Sequence, residues 1–170
     1  VFLFHPHPLS KLCGTAPSLL NNDMEKEALL RYLGIDYLIY QEFTQIWADM
    51  LPQEFVSNIL VKKLQVNHLF VGFNYTFGAK AAGETKLLAR LAQQHGFLLT
   101  VSPPVKQNGM IVSSSVIRQA LQSGNLQKAN ALLGYAYCFS GQVVKGKQLG
   151  RQLGFPTANL ICPKEKQKPV

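Results

Sequence analysis

His68-Leu69-Phe70-Val71-Gly72 and Phe97-Leu98-Leu99-Thr100-Val101 are two short apolar runs with one helix-length segment between them, and that arrangement decides the fold. Continuous apolar runs of this length suit strands covered on both faces, the pattern of parallel sheets. Residues 84–95 lie between them, with Leu87, Leu88 and Leu91 spaced to face inward and Gly96 as the stop. Strand, helix, strand is the crossover unit of an α/β layer.

Working outward toward the N-terminus, residues 1–4 read as a buried strand that ends at His5-Pro6-His7-Pro8, where two prolines forbid regular structure. Residues 9–21 read as loop. Asn22 and Asp23 can cap a helix whose first turn carries Glu25 and Glu27, with Leu29, Leu30 and Leu33 as its apolar face and Gly34 as its end. Residues 35–40 form a second strand. A helix with Pro52 near its start follows, carrying Phe55, Ile59, Leu60 and Leu64 on one stripe. Toward the C-terminus, residues 115–123 and 126–133 are short helices separated by Gly124. From Tyr135 the grammar changes to β-former alternation over 135–145 and then a glycine-rich stretch. The expectation is a doubly wound parallel α/β domain over 1–134 and the start of a β-domain over 135–170.

The chain has 170 residues, 47% hydrophobic and 15% charged, which is enough apolar matter for a packed core and excludes a disordered chain. A formal charge of +8 favours polyanions such as nucleotide phosphates or nucleic acid. The basic residues are scattered apart from Lys164, Lys166 and Lys168, and aromatics do not interleave with them as on a single-strand-binding surface. Cys13, Cys138 and Cys162 are far apart and show no zinc spacing, so a reduced, cytoplasmic setting is expected. No apolar run reaches ~18 residues, the length a membrane-spanning helix needs. The sequence opens at Val1 inside an apolar run, so an upstream segment is expected.

In an open α/β sheet, ligands bind beyond the carboxyl ends of the strands. Three segments fall there: Pro6-His7-Pro8, Gly72-Phe73-Asn74-Tyr75-Thr76-Phe77-Gly78, and Ser113-Ser114-Ser115-Val116-Ile117-Arg118. A helix opened by serines offers free N–H groups to a phosphate, and Arg118 lies about one turn beyond Ser115. Capping by Ser114 or Ser115 beside a surface arginine explains the same spacing. In the loop, aromatics can stack on a planar ring and Asn74 can read its edge; a turn with core aromatics also fits. His5 and His7 lack the clustered partners of a metal site, and His7 suits a phosphate contact or general acid better. In Gly150-Arg151-Gln152-Leu153-Gly154-Phe155-Pro156-Thr157-Ala158-Asn159, Pro156 fixes the approach, Thr157 offers a hydroxyl of the kind that binds Mg²⁺, and Asn159 shares its side of an extended chain.

Taken in order, Phe4-x-Pro6-His7-Pro8, Val71-Gly72-x-Asn74-Tyr75-Thr76-Phe77-Gly78, Val112-Ser113-Ser114-Ser115-x-Ile117-Arg118, Leu132-Leu133-Gly134 and the 150–159 segment resemble the prokaryotic bifunctional riboflavin kinase/FMN adenylyltransferases, along essentially the whole chain. The resemblance implies a Rossmann-like nucleotidyltransferase domain that joins the AMP of ATP to FMN, followed by the first strands of a riboflavin kinase β-barrel. It implies Arg118 and His7 as catalytic residues, and Ser113, Ser114, Ser115 and Arg118 on the ATP phosphates. It implies Gly72, Asn74 and Phe77 on the flavin, and Gly150, Thr157 and Asn159 at the kinase ATP–Mg²⁺ site, with Thr157 on the metal. Substrates would be ATP, FMN and riboflavin, with FAD as product. No specific nucleic acid, no membrane, and a monomer or weak oligomer are implied.

Departures accompany the resemblance. The family's Gly-x-Phe-Asp-Gly-x-His-x-Gly-His phosphate motif and the kinase's glutamate are not in these residues, so the chain by itself is expected to be weak or inactive. His5 stands where an acidic residue is usual, Asn74 where many members have Asp, and Ser115 in place of Thr. Two other readings stay open: a related nucleotidyltransferase, against which residues 150–160 argue, and a basic nucleic-acid-binding module, for which no recognised motif is present.

Overall fold

The computed structural model describes residues 1–146, 150, 153–155 and 157–169. Strand β1 (Phe2–His5) leads through a cis His5–Pro6 bond into helix α1 (Pro8–Leu12). His7 caps this helix, its Nδ1 accepting the Leu9 N–H at 3.2 Å. The expected loop over 9–21 thus holds a short helix, which is too brief to show a helical period in sequence.

Helix α2 (Asp23–Tyr32) begins where Asn22 and Asp23 predict. The Glu25 N–H donates to Asn22 Oδ1 at 2.9 Å and the Asn22 N–H returns to Glu25 Oε2 at 2.9 Å, a capping box. Its expected leucine face is only partly realised. Leu29 and Leu30 are half-buried and Leu33 is exposed, because cap and polar contacts rather than a leucine face hold this helix.

Strand β2 (Ile39–Glu42) lies further along than the expected 35–40. A continuous run of β-formers leaves the ends undetermined, and pairing with β1, from Phe2↔Ile39 to His5↔Glu42, sets them. Helix α3 (Gln45–Asp49) precedes α4 (Pro52–Glu54), which passes directly into a π-helical stretch, Phe55–Lys63. The Leu64 N–H reaching back to Ile59 O at 2.8 Å shows the widened turn.

The remaining elements are β3 (His68–Gly72), β4 (Thr76–Phe77), β5 (Gly83–Glu84), α5 (Thr85–His95), β6 (Leu98–Ser102), β7 (Lys106–Gln107) and β8 (Met110–Ile111). After them come α6 (Ser114–Gln122), α7 (Leu126–Leu133), β9 (Gln142–Val144) and β10 (Asn159–Ile161).

The chain forms two compact units. One comprises Phe2–Ala16 and Ile39–Ile111. Its four longer strands make two parallel pairs, β1 with β2 and β3 with β6, the latter in register from His68↔Leu98 to Gly72↔Ser102. The expected parallel layer is therefore present as two separate pairs. Periodicity gives strands and crossovers, whereas neighbours across the sheet are chosen by long-range hydrogen bonds. Val56 and Leu88 are wholly buried and pack with Phe55, Ile59, Leu60, Val71, Leu91 and Phe97.

The other unit comprises Val1, Pro17–Leu38 and Val112–Val170. Here α6 packs on α7 through Ile117, Ala120, Leu121, Ala129 and Leu132. A polar cluster joins α2 to the chain end. Lys166 Nζ donates to Glu25 Oε2 and to Leu20 O, both at 2.5 Å, and sits 4.5 Å from the Tyr137 ring centre. Both side chains of this ion pair are buried.

Candidate functional site

The first unit contains a cavity of roughly 520 Å³, within the range of small-ligand sites. Phe4 of β1 and Pro8 and Leu12 of α1 form one wall. Trp47 and Met50 form another, and Tyr75, Thr76, Phe77 and Gly78 of the β3–β5 connection a third. Pro8 of the expected ligand segment 6–8 and residues 75–78 of the expected segment 72–78 thus line one apolar space, with Phe4 beside them. The walls are stacked rings: Phe4 meets Trp47 edge-on at 5.2 Å, and Tyr75 lies parallel to Phe77 at 5.7 Å. Burial raises the Tyr75 phenol above its ordinary value, so it stays a neutral hydroxyl.

Backbone constraints fix the third wall. Gly78 has φ +73°, and a Cβ there would lie 2.7 Å from the Pro52 ring, so only glycine lets this turn close on the α4 entry. The Ala79 N–H donates to Met50 O at 2.8 Å and ties the turn to the second wall. Gly72 and Asn74 are brought together in the turn after β3. The Tyr75 N–H donates to Gly72 O at 3.1 Å, and Asn74 Oδ1 lies 3.4 Å from where a Cβ on Gly72 would stand. Both are exposed, and neither lines the cavity, whereas Phe77 does. His7 is exposed, and its Nδ1 accepts the Leu9 N–H.

In the second unit, Ser113 caps α6, its Oγ accepting the Val116 N–H at 3.4 Å; the cap is thus one residue before Ser114 and two before Ser115. Ser114 and Ser115 stand exposed in the first turn. Arg118 is half-buried, with Nε donating to Ser18 O at 2.7 Å. That bond orients the guanidinium and leaves its terminal nitrogens as donors.

In the same unit β9 pairs antiparallel with β10, from Gln142↔Ile161 to Val144↔Asn159. A Cβ on Gly150 would stand 3.0 Å from Thr157 Oγ1, and one on Gly146 would meet the Asn159 amide, so two glycines lie against the two expected ligand side chains. Arg151, Gln152 and Pro156 lie outside the described residues. Among the described residues no group of three or more His, Cys, Asp or Glu could hold a metal ion. An ion here would rest on oxygen donors such as Thr157 and Asn159 together with phosphates, which Mg²⁺ accepts. No described helix is long and apolar enough to cross a membrane.

Residues 1–116 match the family model for FAD synthetase. The chain belongs to the FAD synthetase family. Residues 133–170 match the family model for riboflavin kinase. The bifunctional riboflavin kinase/FMN adenylyltransferase of Escherichia coli K12 is 40% identical over 161 residues, covering 94% of this chain and 51% of that protein. The enzyme of the same name from Listeria monocytogenes is 36% identical over 162 residues, with 94% and 51% covered. That from Buchnera aphidicola (Schizaphis graminum) is 31% identical over 166 residues, with 96% and 53% covered. The chain thus spans about half the length of the curated relatives it matches. A solved structure from Streptococcus pneumoniae, named a macrolide-efflux protein, superposes with a TM-score of 0.83 at 29% identity, over all of this chain and 55% of that one.

Sequence reasoning missed several cavity residues, among them Leu9, Leu12, Trp47, Met50 and Lys80. Leu9 and Leu12 carried no signal, because their five-residue helix is too short to show a period. Trp47 and Met50 carried none, because tertiary packing alone brings α3 to the cavity.

Proposed function

We propose that the protein carrying this chain makes FAD from FMN and ATP, and that its second part converts riboflavin to FMN. On this reading residues 1–134 belong to a Rossmann-like nucleotidyltransferase and residues 135–170 open a riboflavin kinase β-barrel. The observation that carries the reading is the aromatic cavity of the first unit, walled by Phe4 and Pro8 of one motif segment and residues 75–78 of the other. A flat, largely apolar isoalloxazine ring suits such walls, since ring pairs and apolar burial both favour it. Phe77 contacts the ring, while Gly72 and Asn74 flank it from the neighbouring turn.

In the adenylyl transfer, an oxygen of the FMN phosphate attacks the α-phosphorus of ATP. A P–O–P bond forms, the α–β bond breaks, and pyrophosphate leaves. The chain's work is electrostatic. Ser113, Ser114, Ser115 and the N–H groups opening α6 hold phosphate oxygens, and Arg118 neutralises charge as it develops. His7 donates to a phosphate oxygen through Nε2. In the kinase reaction the riboflavin hydroxyl oxygen attacks the γ-phosphorus, losing its proton, and ADP leaves. Thr157 and Asn159 hold the ATP phosphates with their Mg²⁺, and Gly150 leaves room for them. Mg²⁺ supplies charge neutralisation on the phosphates. The protein is read as a cytoplasmic monomer or weak oligomer acting on small molecules.

The test incubates the full-length protein with FMN and ATP–Mg²⁺, then with riboflavin and ATP–Mg²⁺. FAD with pyrophosphate, and FMN with ADP, are expected. No FAD, no flavin binding, and steeply salt-dependent binding of random oligonucleotides would sink the reading in favour of a basic nucleic-acid module.

A further inference from the structure

The cavity carries a charge that ring recognition does not use. Of its lining residues only Asp49 and Lys80 are charged. Asp49 is occupied, both carboxylate oxygens accepting from Gln45 Nε2 at 3.0 and 2.9 Å. Lys80 has neither a hydrogen-bond partner nor an ion pair among the described residues. It is exposed while lining the cavity, so it stands at the mouth.

Its backbone is also unusual. Lys80 and Ala81 have φ of +53° and +55°, the left-handed region that side-chain-bearing residues avoid. The turn is held there from outside, by the Ala79 N–H on Met50 O and by Gly78 closing on Pro52. A disfavoured conformation that its surroundings enforce is often found at a ligand clamp. Here it presents one unpaired ammonium at the rim of an aromatic cavity.

We propose that Lys80 recognises the phosphomonoester of a flavin seated in this cavity, and so sets a preference for FMN over riboflavin. The proposal rests on the reading of the cavity as a flavin site. A ring stacked on Phe4, Trp47 and Phe77 leaves its hydrophilic tail at the mouth. There a phosphate of charge about −1.5 to −2 meets a compact point charge, whereas riboflavin offers only a neutral hydroxyl.

The test is flavin-fluorescence titration of this chain with FMN and with riboflavin, at low and high salt. The variants are Lys80→Met, Lys80→Arg and, as a control, Lys11→Met, since Lys11 lines only the adjoining groove. Circular dichroism checks that each variant is folded. Lys80→Met is expected to weaken FMN about 10–100-fold, the range of a charged hydrogen bond, with riboflavin unchanged. Lys80→Arg should restore most of the loss, Lys11→Met should leave the FMN-to-riboflavin ratio unaltered, and high salt should narrow that ratio in the unsubstituted chain. An unchanged ratio in Lys80→Met overturns the role of Lys80 while leaving the flavin site intact. Failure of the unsubstituted chain to bind either flavin overturns the cavity reading and this proposal with it.

Discussion

Lys166→Met tests the buried ion pair of the second unit. Lys166 has no exposed side-chain surface, and Glu25 only 6%. The Glu25 carboxylate also accepts the Asn22 N–H at 2.9 Å and the Ser140 N–H and Oγ, both at 2.8 Å. Methionine keeps much of the stem's volume against Tyr137 and Phe139, so the loss is of charge rather than packing. Removing one partner of a buried pair costs about 3–5 kcal/mol, because the other charge stays buried. For a chain of this size that lowers Tm by roughly 6–20 °C, at about 2–4 °C per kcal/mol. The assay is urea denaturation followed by near-ultraviolet circular dichroism of the tyrosines, with Lys166→Met, Glu25→Gln and the double variant.

The double variant should be more stable than Lys166→Met, since it removes the orphaned charge. The pH dependence supplies a second readout. Burial raises the Glu25 carboxyl, but the hydrogen bonds from Lys166, Asn22 and Ser140 and the Lys166 charge outweigh it and hold the carboxyl below its ordinary 4.5. A depressed folded value contributes stability above the unfolded value, and this is lost as pH falls below 4.5 through the folded one. In Lys166→Met two of the lowering causes disappear, so the folded value rises and the acid loss that Glu25 contributes shrinks. A Lys166→Met chain within about 0.5 kcal/mol of the parent, with the same acid limb, would refute the argument, since that is the scatter of ordinary surface changes.

Other outcomes follow from the same geometry. In the full-length protein Arg118→Ala should cut adenylylation about 10²–10³-fold and leave riboflavin phosphorylation nearly intact; equal loss of both activities would remove Arg118 from the phosphate site. Gly150→Ala, whose Cβ would press on Thr157 and on the Phe155 carbonyl, should raise the kinase KM for ATP while FAD formation persists, as steady-state kinetics would show. The Tyr137 phenol is pushed up to about 12, first by burial and then by the Glu25 charge. Its stabilisation is complete below its ordinary value of 10.0 and is lost as pH rises toward 12. Alkaline denaturation followed by tyrosinate absorbance should show a step there that Tyr137→Phe lacks.

Much of this was legible in the chain itself. The run at 68–72 pairs in parallel with 98–102, one residue beyond the run read at 97–101, and α2 begins at the Asn22 cap. Phe4, Pro8 and residues 75–78 of the two motif segments line one cavity. These features depend on local rules: apolar period, capping chemistry and proline geometry act over a few residues. Where the reading failed, a distant partner decided. The leucines of α2 gave way to a capping box joined to Lys166, a residue far along the chain. The ends of β2 were set by β1, and the expected layer resolved into two strand pairs.

The sequence by itself determined the strand–helix alternation and the family, because each is written in neighbouring residues. Only the tertiary structure decided that Trp47 and Met50 wall the cavity, that Lys80 stands at its mouth with no partner among the described residues, and that Glu25 is buried against Lys166. Such placements arise when segments distant in sequence exclude water together, and no local pattern encodes which residues will then face one another.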